Sequence, residues 1–518
     1  MLRGSSWPAD VAAEYARLWS LGPRRHAFNG PAWTRAWAAA RGPSLDLFAP
    51  LVRRAEGLRG ILPLVRDPSD GVLRFHGRPE CDYADLLADP GDACEVAERG
   101  LRALLARGGW RAADLENLRE DGILAAALDG LPHDLRRLVS VERQAPCPAV
   151  SAAVGGPGVF TALAGKDKLR QYHRKLGRLG PVTFEHLERR DAILEHLPRF
   201  FRQHQERSVL AGRDSQFLDH RPRRFYEELV RAMDPATELR FGVLRAGDRV
   251  AAYHFGFESN GRFLFYKPTF DVALWDYSPG QVLLRALFEY AEARALGVFD
   301  FTIGDEEYKH RFANEVVHTL RVTVARSVAG ARASRLVRSA RARLREVPAV
   351  RSLAATLRGR SASPRSPGGA VFAFRPAPAG PAPGSPPAER GGLAELAGLS
   401  LEYPSAFPSA AIPDLRLRLK QDELWIARRD GRLFAAAWCG ERDTPALWPG
   451  AARSRVLYDA WTAEERDQGW WTDCILAAAA AAREEELPLL AVSGDGGLLS
   501  EESARRGWPM IGQPAGVS

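Results

Sequence analysis

Cysteine is scarce in these 518 residues: there are five, Cys81, Cys94, Cys147, Cys439 and Cys474. The number is odd and no two stand in a C-x-x-C spacing, which excludes a disulfide framework or a zinc site and leaves buried thiols as the expectation. Long apolar runs are lacking too. The longest, 474–482, is far shorter than the roughly 20 residues a spanning helix needs. Residues 1–25 include acids and no apolar stretch of the kind a secretory leader carries. These absences predict no transmembrane segment and a cytoplasmic protein.

Acidic residues are almost missing from one stretch. Between 332 and 365 ten arginines face the single acid Glu346, so this segment carries +9 of a net +8 and the rest of the chain stands at −1. A solvated basic helix joining domains is the expectation, with nucleic acid or an anionic membrane surface as the alternative partner. Residues 361–392 are dense in proline, glycine and serine and read as a linker. A chain of this length, 46% hydrophobic and 26% charged, suits a protein of two to four domains.

What is present concentrates between Leu239 and Phe312. Alternating apolar residues over 239–257 flank an Ala246-Gly247-Asp248 turn and predict a hairpin. A third strand follows at 262–270, where Pro268 cannot donate to a ladder and marks an edge, a bulge or a parting of strands. In Ser278-Pro279-Gly280-Gln281 the serine suits an N-cap, the proline a first helical position and the glutamine a capping box. Val282, Leu283, Ala286, Leu287 and Tyr290 continue a helix to Leu296, Gly297 ends it, and 298–303 is the next strand. Such a helix start offers unpaired N–H groups and partial positive charge, and Gly280 admits a phosphate close to the backbone. An ordinary well-capped crossover helix would look the same.

The run Val250-Ala-Ala-Tyr253, Phe270-Asp271, Tyr277-Ser-Pro-Gly280, Phe299-Asp-Phe301, Gly304-Asp305 and Tyr308-Lys309, with Asp82-Tyr83, the helix over 166–180 and Phe217 upstream, resembles the CelD-like acetyltransferases associated with cellulose biosynthesis, a branch of the GNAT superfamily. The resemblance covers about residues 25 to 325. It implies an acyl-CoA donor, acetyl-CoA or another, with no metal. Pantetheine would enter between splayed parallel strands, 262–270 and 298–303, and pyrophosphate would sit on the glycine turn, which makes Tyr266, Phe270, Ser278, Pro279, Gly280 and Gln281 the expected coenzyme residues. A neutral amine is needed to attack a thioester, so a carboxylate base is required; Asp305 ranks first, with Asp300, Glu306 and Glu307 behind it. Tyr308 would protonate the departing thiolate and Lys309 would pair with a phosphate or an acidic acceptor. His254, on a central strand, is a core histidine rather than a base. The acceptor would be a small-molecule or glycan-linked amine or hydroxyl. Fem-type peptidyltransferases also pair two GNAT modules, so aminoacyl-tRNA is the alternative donor, and a non-catalytic scaffold is a third reading.

The pattern of hairpin, helix and strand recurs: 44–64 with 94–107 and 113–118; 239–257 with 278–296 and 298–303; 423–438 with 469–484 and 489–492. The expected fold class is α+β, with tandem GNAT-like modules of mixed, splayed sheets flanked by helices and a third, degenerate module. The expected domains are 1–150 without a coenzyme site, 151–330 as the acyl-CoA-binding module, 331–392 as basic helix and linker, and 393–518. Asp89-Pro-Gly-Asp92 gives the first module an acidic helix start that repels pyrophosphate, and Trp471 blocks the third module's Arg466-Asp-Gln-Gly469 turn. Ala504-Arg-Arg-Gly-Trp508 weakly resembles the superfamily's closing motif. In the helix over 166–179, Lys166, Arg170, Arg174 and Arg178 form a cationic stripe opposite Leu169, Tyr172, Leu176 and Leu179, either steering an anion or simply solvated.

Overall fold

The computed structural model describes residues 2–331 apart from 5–6, 23–24, 43–44 and 212–214, and then 371–374, 389–392, 394–395, 397–398, 422–429, 432–443, 453–462, 489–492 and 510–512. Two compact units emerge, Met1–Arg202 with Gln216–Val347, and Gln203–Ser215 with Pro348–Ser518.

Period-two apolar alternation gives the first unit its strands: β1 (Leu2–Gly4), β2 (Leu47–Ala49), β3 (Leu51–Arg54), β4 (Gly57–Ile61), β5 (Leu64–Arg66), β6 (Val72–Phe75), β7 (Leu87–Ala88), β8 (Ala112–Arg119), β9 (Val139–Ser151), β10 (Val182–Leu187), β11 (Leu239–Ala246), β12 (Arg249–Ser259), β13 (Arg262–Phe270), β14 (Val298–Asp300) and β15 (Glu315–Ala325). Twelve of them make one mixed sheet in the order β1-β2-β5-β6-β8-β15-β9-β14-β13-β12-β11-β10, while β3, β4 and β7 form a small separate sheet. The last strand, β15, lies antiparallel between β8 and β9, so the end of the second half completes the sheet of the first. Both halves therefore share one hydrogen-bonded ladder.

The sheet's alternation sorts side chains between two cores. Leu264 and Tyr266 of β13 join the core that includes Trp33, Phe75, Tyr83, Phe200, Phe225 and Tyr253. Phe263 and Phe265 face the other way, against Leu283, Leu287 and Phe288 of the helix Pro279–Ala293.

In the second unit β16 (Val371–Phe374), β17 (Glu389–Gly391), β18 (Glu423–Arg429), β19 (Arg432–Asp443), β20 (Arg453–Thr462), β21 (Leu489–Val492) and β22 (Met510–Gly512) form a sheet in the order β17-β18-β19-β20-β21-β16-β22. Both β16 and β17 come from the stretch whose composition predicts a linker. The alternating Val371-Phe-Ala-Phe374 has strand composition that a proline-and-glycine average over the window conceals. An antiparallel run closed by one parallel strand occurs three times, as β6 with β8, β13 with β14, and β20 with β21. The fold is α+β, a large mixed sheet flanked by helices.

Among the described residues no helix is long and apolar enough to cross a membrane. Cys81, Cys147 and Cys439 are buried, but Cys94 is exposed: it sits in the first turn of the helix Ala93–Arg107, whose buried face falls instead on Val96, Ala97, Leu101 and Leu104. The arginine segment 332–365, Cys474, the expected helix 469–484, the turn at Arg466–Trp471 and the motif at Ala504–Trp508 lie outside the described residues.

Candidate acyl-transfer site

The strands β13 and β14 run parallel and are paired through Arg262↔Val298, Phe263↔Phe299 and Leu264↔Asp300, where the ladder stops. Beyond it β13 continues to Phe270 along β12, whereas the chain after Asp300 keeps to β9, with Phe301 N–H donating to Pro148 O and Gly304 N–H to Pro146 O. Two neighbouring strands thus follow different partners and part between them. The strand expected over 298–303 is accordingly shorter: Asp300 Oδ1 accepts the Thr302 N–H at 2.8 Å, and Thr302 turns left-handed with φ 58°. In the parted section Thr269 Oγ1, with the residue 1% exposed, has no hydrogen-bond partner among the described residues. Such an orphaned hydroxyl fits a slot that a polar, extended molecule enters.

After β13 a short turn over Val272–Tyr277 leads into the helix Pro279–Ala293. Asp271 caps that turn by accepting the Ala273 N–H, and its other oxygen holds Arg249 at 2.7 Å. Ser278 precedes the helix as expected, yet its side chain caps nothing. It adopts φ 52° and ψ 49°, and its carbonyl accepts the N–H groups of Gln281 and Val282. The capping box fails because a left-handed Ser278 turns away from the extended conformation that a capping side chain needs. At Gly280 a Cβ would lie 3.4 Å from Phe270 Cδ1, an ordinary contact, so packing alone does not require glycine there. At its far end the helix stops at Ala293, and Ala295, not Gly297, takes the left-handed position with φ 50°.

The basic helix Asp167–Leu176 fixes this neighbourhood. Lys175 Nζ donates to Asp276 O at 2.6 Å and lies over the Tyr277 ring; Lys166 Nζ donates to Arg311 O and lies over Phe312. Its two end lysines strap the turn before Ser278 and the segment after His310. Leu169 and Leu176 are buried as expected, but Leu179 is 41% exposed, because the helix gives way to a 3-10 turn at Gly177.

Several expected site residues are occupied otherwise. Asp300 is fully buried and accepts from the Tyr83 hydroxyl (2.7 Å), the Thr302 N–H, Arg119 (3.2 Å) and Arg262 (2.9 Å). With both oxygens doubly engaged it ties the two halves of the chain together and has no lone pair to spare for an amine. Burial, reinforced by the Asp300 charge, pushes the Tyr83 hydroxyl well above its usual range. Tyr266 points into the core away from the helix Pro279–Ala293, where it accepts from Tyr226 at 2.9 Å and donates to the Glu80 carbonyl. Strand alternation puts Phe265, not Tyr266, on the side of the helix Pro279–Ala293. His254 is fully buried and stacks on Phe265 at 5.1 Å and Phe263 at 5.2 Å; burial drives its pKa well below the usual value, so it stays neutral in the core.

The loop beyond β14 holds the remaining candidates. Lys309, 5% exposed, donates to Ile303 O at 2.8 Å and pairs with Glu306 at 3.0 Å. Gly304 has φ 148°, and a Cβ there would collide with the Glu306 carboxylate and Lys309 Nζ. The Gly304-Asp305 and Tyr308-Lys309 pairs are thus one device: a lysine pinned beneath a glycine that leaves it room. Tyr308 is half-buried against Phe301. Asp305 projects into solvent and holds His310 Nε2 at 2.8 Å. His310 escaped the sequence reading because nothing in a spacing of five residues signals a pair; only the turn Glu307–His310 brings them together.

The first half's helix start is acidic. Asp89 accepts the Gly91 N–H, and Asp92 is held by Arg59.

Residues 165–310 match the family described as "Acetyltransferase (GNAT) domain". No curated protein matches the chain significantly. Among solved structures it is similar to FemX (10% identity, TM-score 0.42, covering 62% of this chain and 97% of that one). It is also similar to L-PGS from Bacillus licheniformis (12%, 0.38, 58% and 93%) and to a tandem GNAT protein from the clavulanic acid biosynthesis pathway (12%, 0.33, 61% and 95%). Residues 165–310 therefore form an acetyltransferase domain of the GNAT superfamily, and the chain is an acyltransferase.

Proposed function

We propose that this domain moves an acyl group from acyl-CoA, acetyl-CoA in the simplest case, to an amine. The observation that carries the proposal is the parting of β13 and β14 after Leu264 and Asp300, one short turn before the helix start at Pro279. A gap between strands gives pantetheine amides backbone partners, and the N–H end of the helix favours phosphate. Ser278, Pro279, Gly280, Gln281 and Phe270 are the residues assigned to it. The resemblance to CelD-like enzymes extends the proposal to a glycan-linked amine or hydroxyl in polysaccharide or cell-envelope metabolism.

The amine nitrogen adds to the thioester carbonyl carbon, the C–S bond breaks as the C–N bond forms, one proton leaves the nitrogen and one is taken up by the thiolate sulfur. We assign the first proton to His310. With Nε2 donating to Asp305, Nδ1 carries the lone pair, the carboxylate fixing the tautomer. Tyr308 returns a proton to sulfur. Lys309 holds the loop and does no chemistry.

Titration of the intact chain with acetyl-CoA and, separately, with aminoacyl-tRNA tests the proposal. Saturable heat with acetyl-CoA alone is expected; binding of the charged tRNA alone would replace it with the Fem-type activity.

A further inference from the structure

At one end of the twelve-stranded sheet β10 pairs with β11 on one side and, among the described residues, with no strand on the other. Such an edge presents unpaired N–H and C=O groups. Beside it lies a cavity of about 550 Å³ between the inner face of β10, with Val182, Phe184 and His186, and the face of the helix Pro279–Ala293 that carries Val282, Ala286 and Tyr290. That volume is in the range of sites that enclose a ligand. The strand that forms this wall has six residues, about 20 Å.

The groove has unmet polar groups. His186 Nε2 and Arg285 Nε are both buried with no hydrogen-bond partner among the described residues. Glu185, Glu188 and Glu289 line it; Arg285, the one arginine in that lining, is paired with Glu289 at 2.8 Å, and Glu185, 59% exposed, lies 3.9 Å from Arg245 of β11. Burial holds His186 neutral, with its pKa lowered to about 3, and lowers that of His173 as well, so neither offsets the acids. Phe184 pairs across the sheet with Leu244, Leu244 with Ala252, and Ala252 with Phe270. Three strand spacings, about 14 Å, thus separate Phe184 from Phe270, whereas Val282 in the groove's helical wall follows directly on Gln281 of the proposed coenzyme turn.

We propose that this groove binds an extended basic peptide segment of a partner, added as a further strand on the edge of β10, with alternate apolar side chains in the cavity and lysines or arginines toward Glu185 and Glu188. Groove-and-edge recognition of this kind takes affinity from main-chain bonds and specificity from alternate side chains. A second copy of this chain is the wrong occupant: antiparallel pairing of two β10 edges sets the acids of one against those of the other, and like charges on facing strands repel.

The test is calorimetric titration of the intact chain with a synthetic heptapeptide alternating lysine and valine, a twin N-methylated on alternate amides, and a twin with glutamate for lysine. Binding of the first alone is expected. The double variant Glu185→Lys, Glu188→Lys, at two exposed positions that leave the fold intact, should bind the lysine peptide at least tenfold more weakly and acquire affinity for the glutamate peptide. Equal binding of the N-methylated twin, no binding of the lysine peptide, or concentration-dependent dimerisation lost in the double variant would each overturn the proposal.

Discussion

At the scale of single residues, burial decides which carboxylate can do chemistry. Asp300 and Asp305 stand five residues apart in one motif, and no sequence pattern separates their roles. The fold does: the first is sealed under Tyr83, Arg119 and Arg262, and the second projects into solvent beside His310. Asp300→Asn should take from Arg262 and Arg119 the buried carboxylate they share, leaving Arg119 with Asp121, and cost about 3 kcal/mol of stability. Urea denaturation measures this; an unchanged midpoint with lost turnover would restore Asp300 as a catalytic group. His310→Gln is expected to lower kcat about a hundredfold with an unchanged melting temperature, the usual range for loss of a general base. Asp305→Asn should cost less, because it only orients the ring. Equal rates in wild type and the His310 variant would remove the histidine from the reaction. The Tyr83–Asp300 bond spans 217 positions, and no local periodicity carries information over such a distance.

At the scale of elements, much was legible because period and punctuation agree. The hairpin β11–β12 and the helix Pro279–Ala293 follow from alternation, from Gly247 at φ 57° and from a proline at the first helical position. What could not be read is backbone conformation that residue type does not dictate: Ser278 and Ala295 turn left-handed within local bonds, Ser278 N–H to Trp275 O and Leu296 N–H to Ala291 O, and β14 ends where Asp300 takes the Thr302 N–H and Phe301 N–H turns to Pro148 O. The strand β16 was hidden by its surroundings, four residues in a proline-rich window. Gly304→Ala joins residue and element. Its φ of 148° and the collision with the Glu306–Lys309 pair should displace the loop carrying Asp305 and His310. We expect a loss of about 2 kcal/mol in stability and a larger proportional loss of turnover. A variant with wild-type turnover would show that this loop does not position the reaction.

For the whole molecule, the sheet joins both halves into one ladder, so the first unit should unfold as one. Its acid sensitivity follows from buried histidines. Burial lowers His26, His76 and His186 to about 3, and holds His254 well below its usual value. Below the ordinary histidine value of 6.5 the unfolded chain binds protons that the folded one refuses, so stability is present above that pH and falls as the pH drops toward 3. Each group contributes up to about 1.4 kcal/mol per pH unit. Asp85, raised by burial to about 6, acts in the opposite sense and offsets one of the four. Urea midpoints should therefore fall between pH 6.5 and 5; a flat profile would mean that these rings open to water. The fold class and the turn into the helix Pro279–Ala293 were visible in the sequence, whereas β15 closing the sheet of the first half was not, because strand order is a long-range property. The proposed seat of acyl-CoA is the gap between β13 and β14, with its pyrophosphate on the turn at Gly280. It is tested most directly by calorimetric titration of acetyl-CoA into the intact chain and into Gly280→Trp. Saturable binding by the wild type, abolished in a variant of unchanged melting temperature, is the predicted result; superimposable titration curves for the two proteins would contradict it.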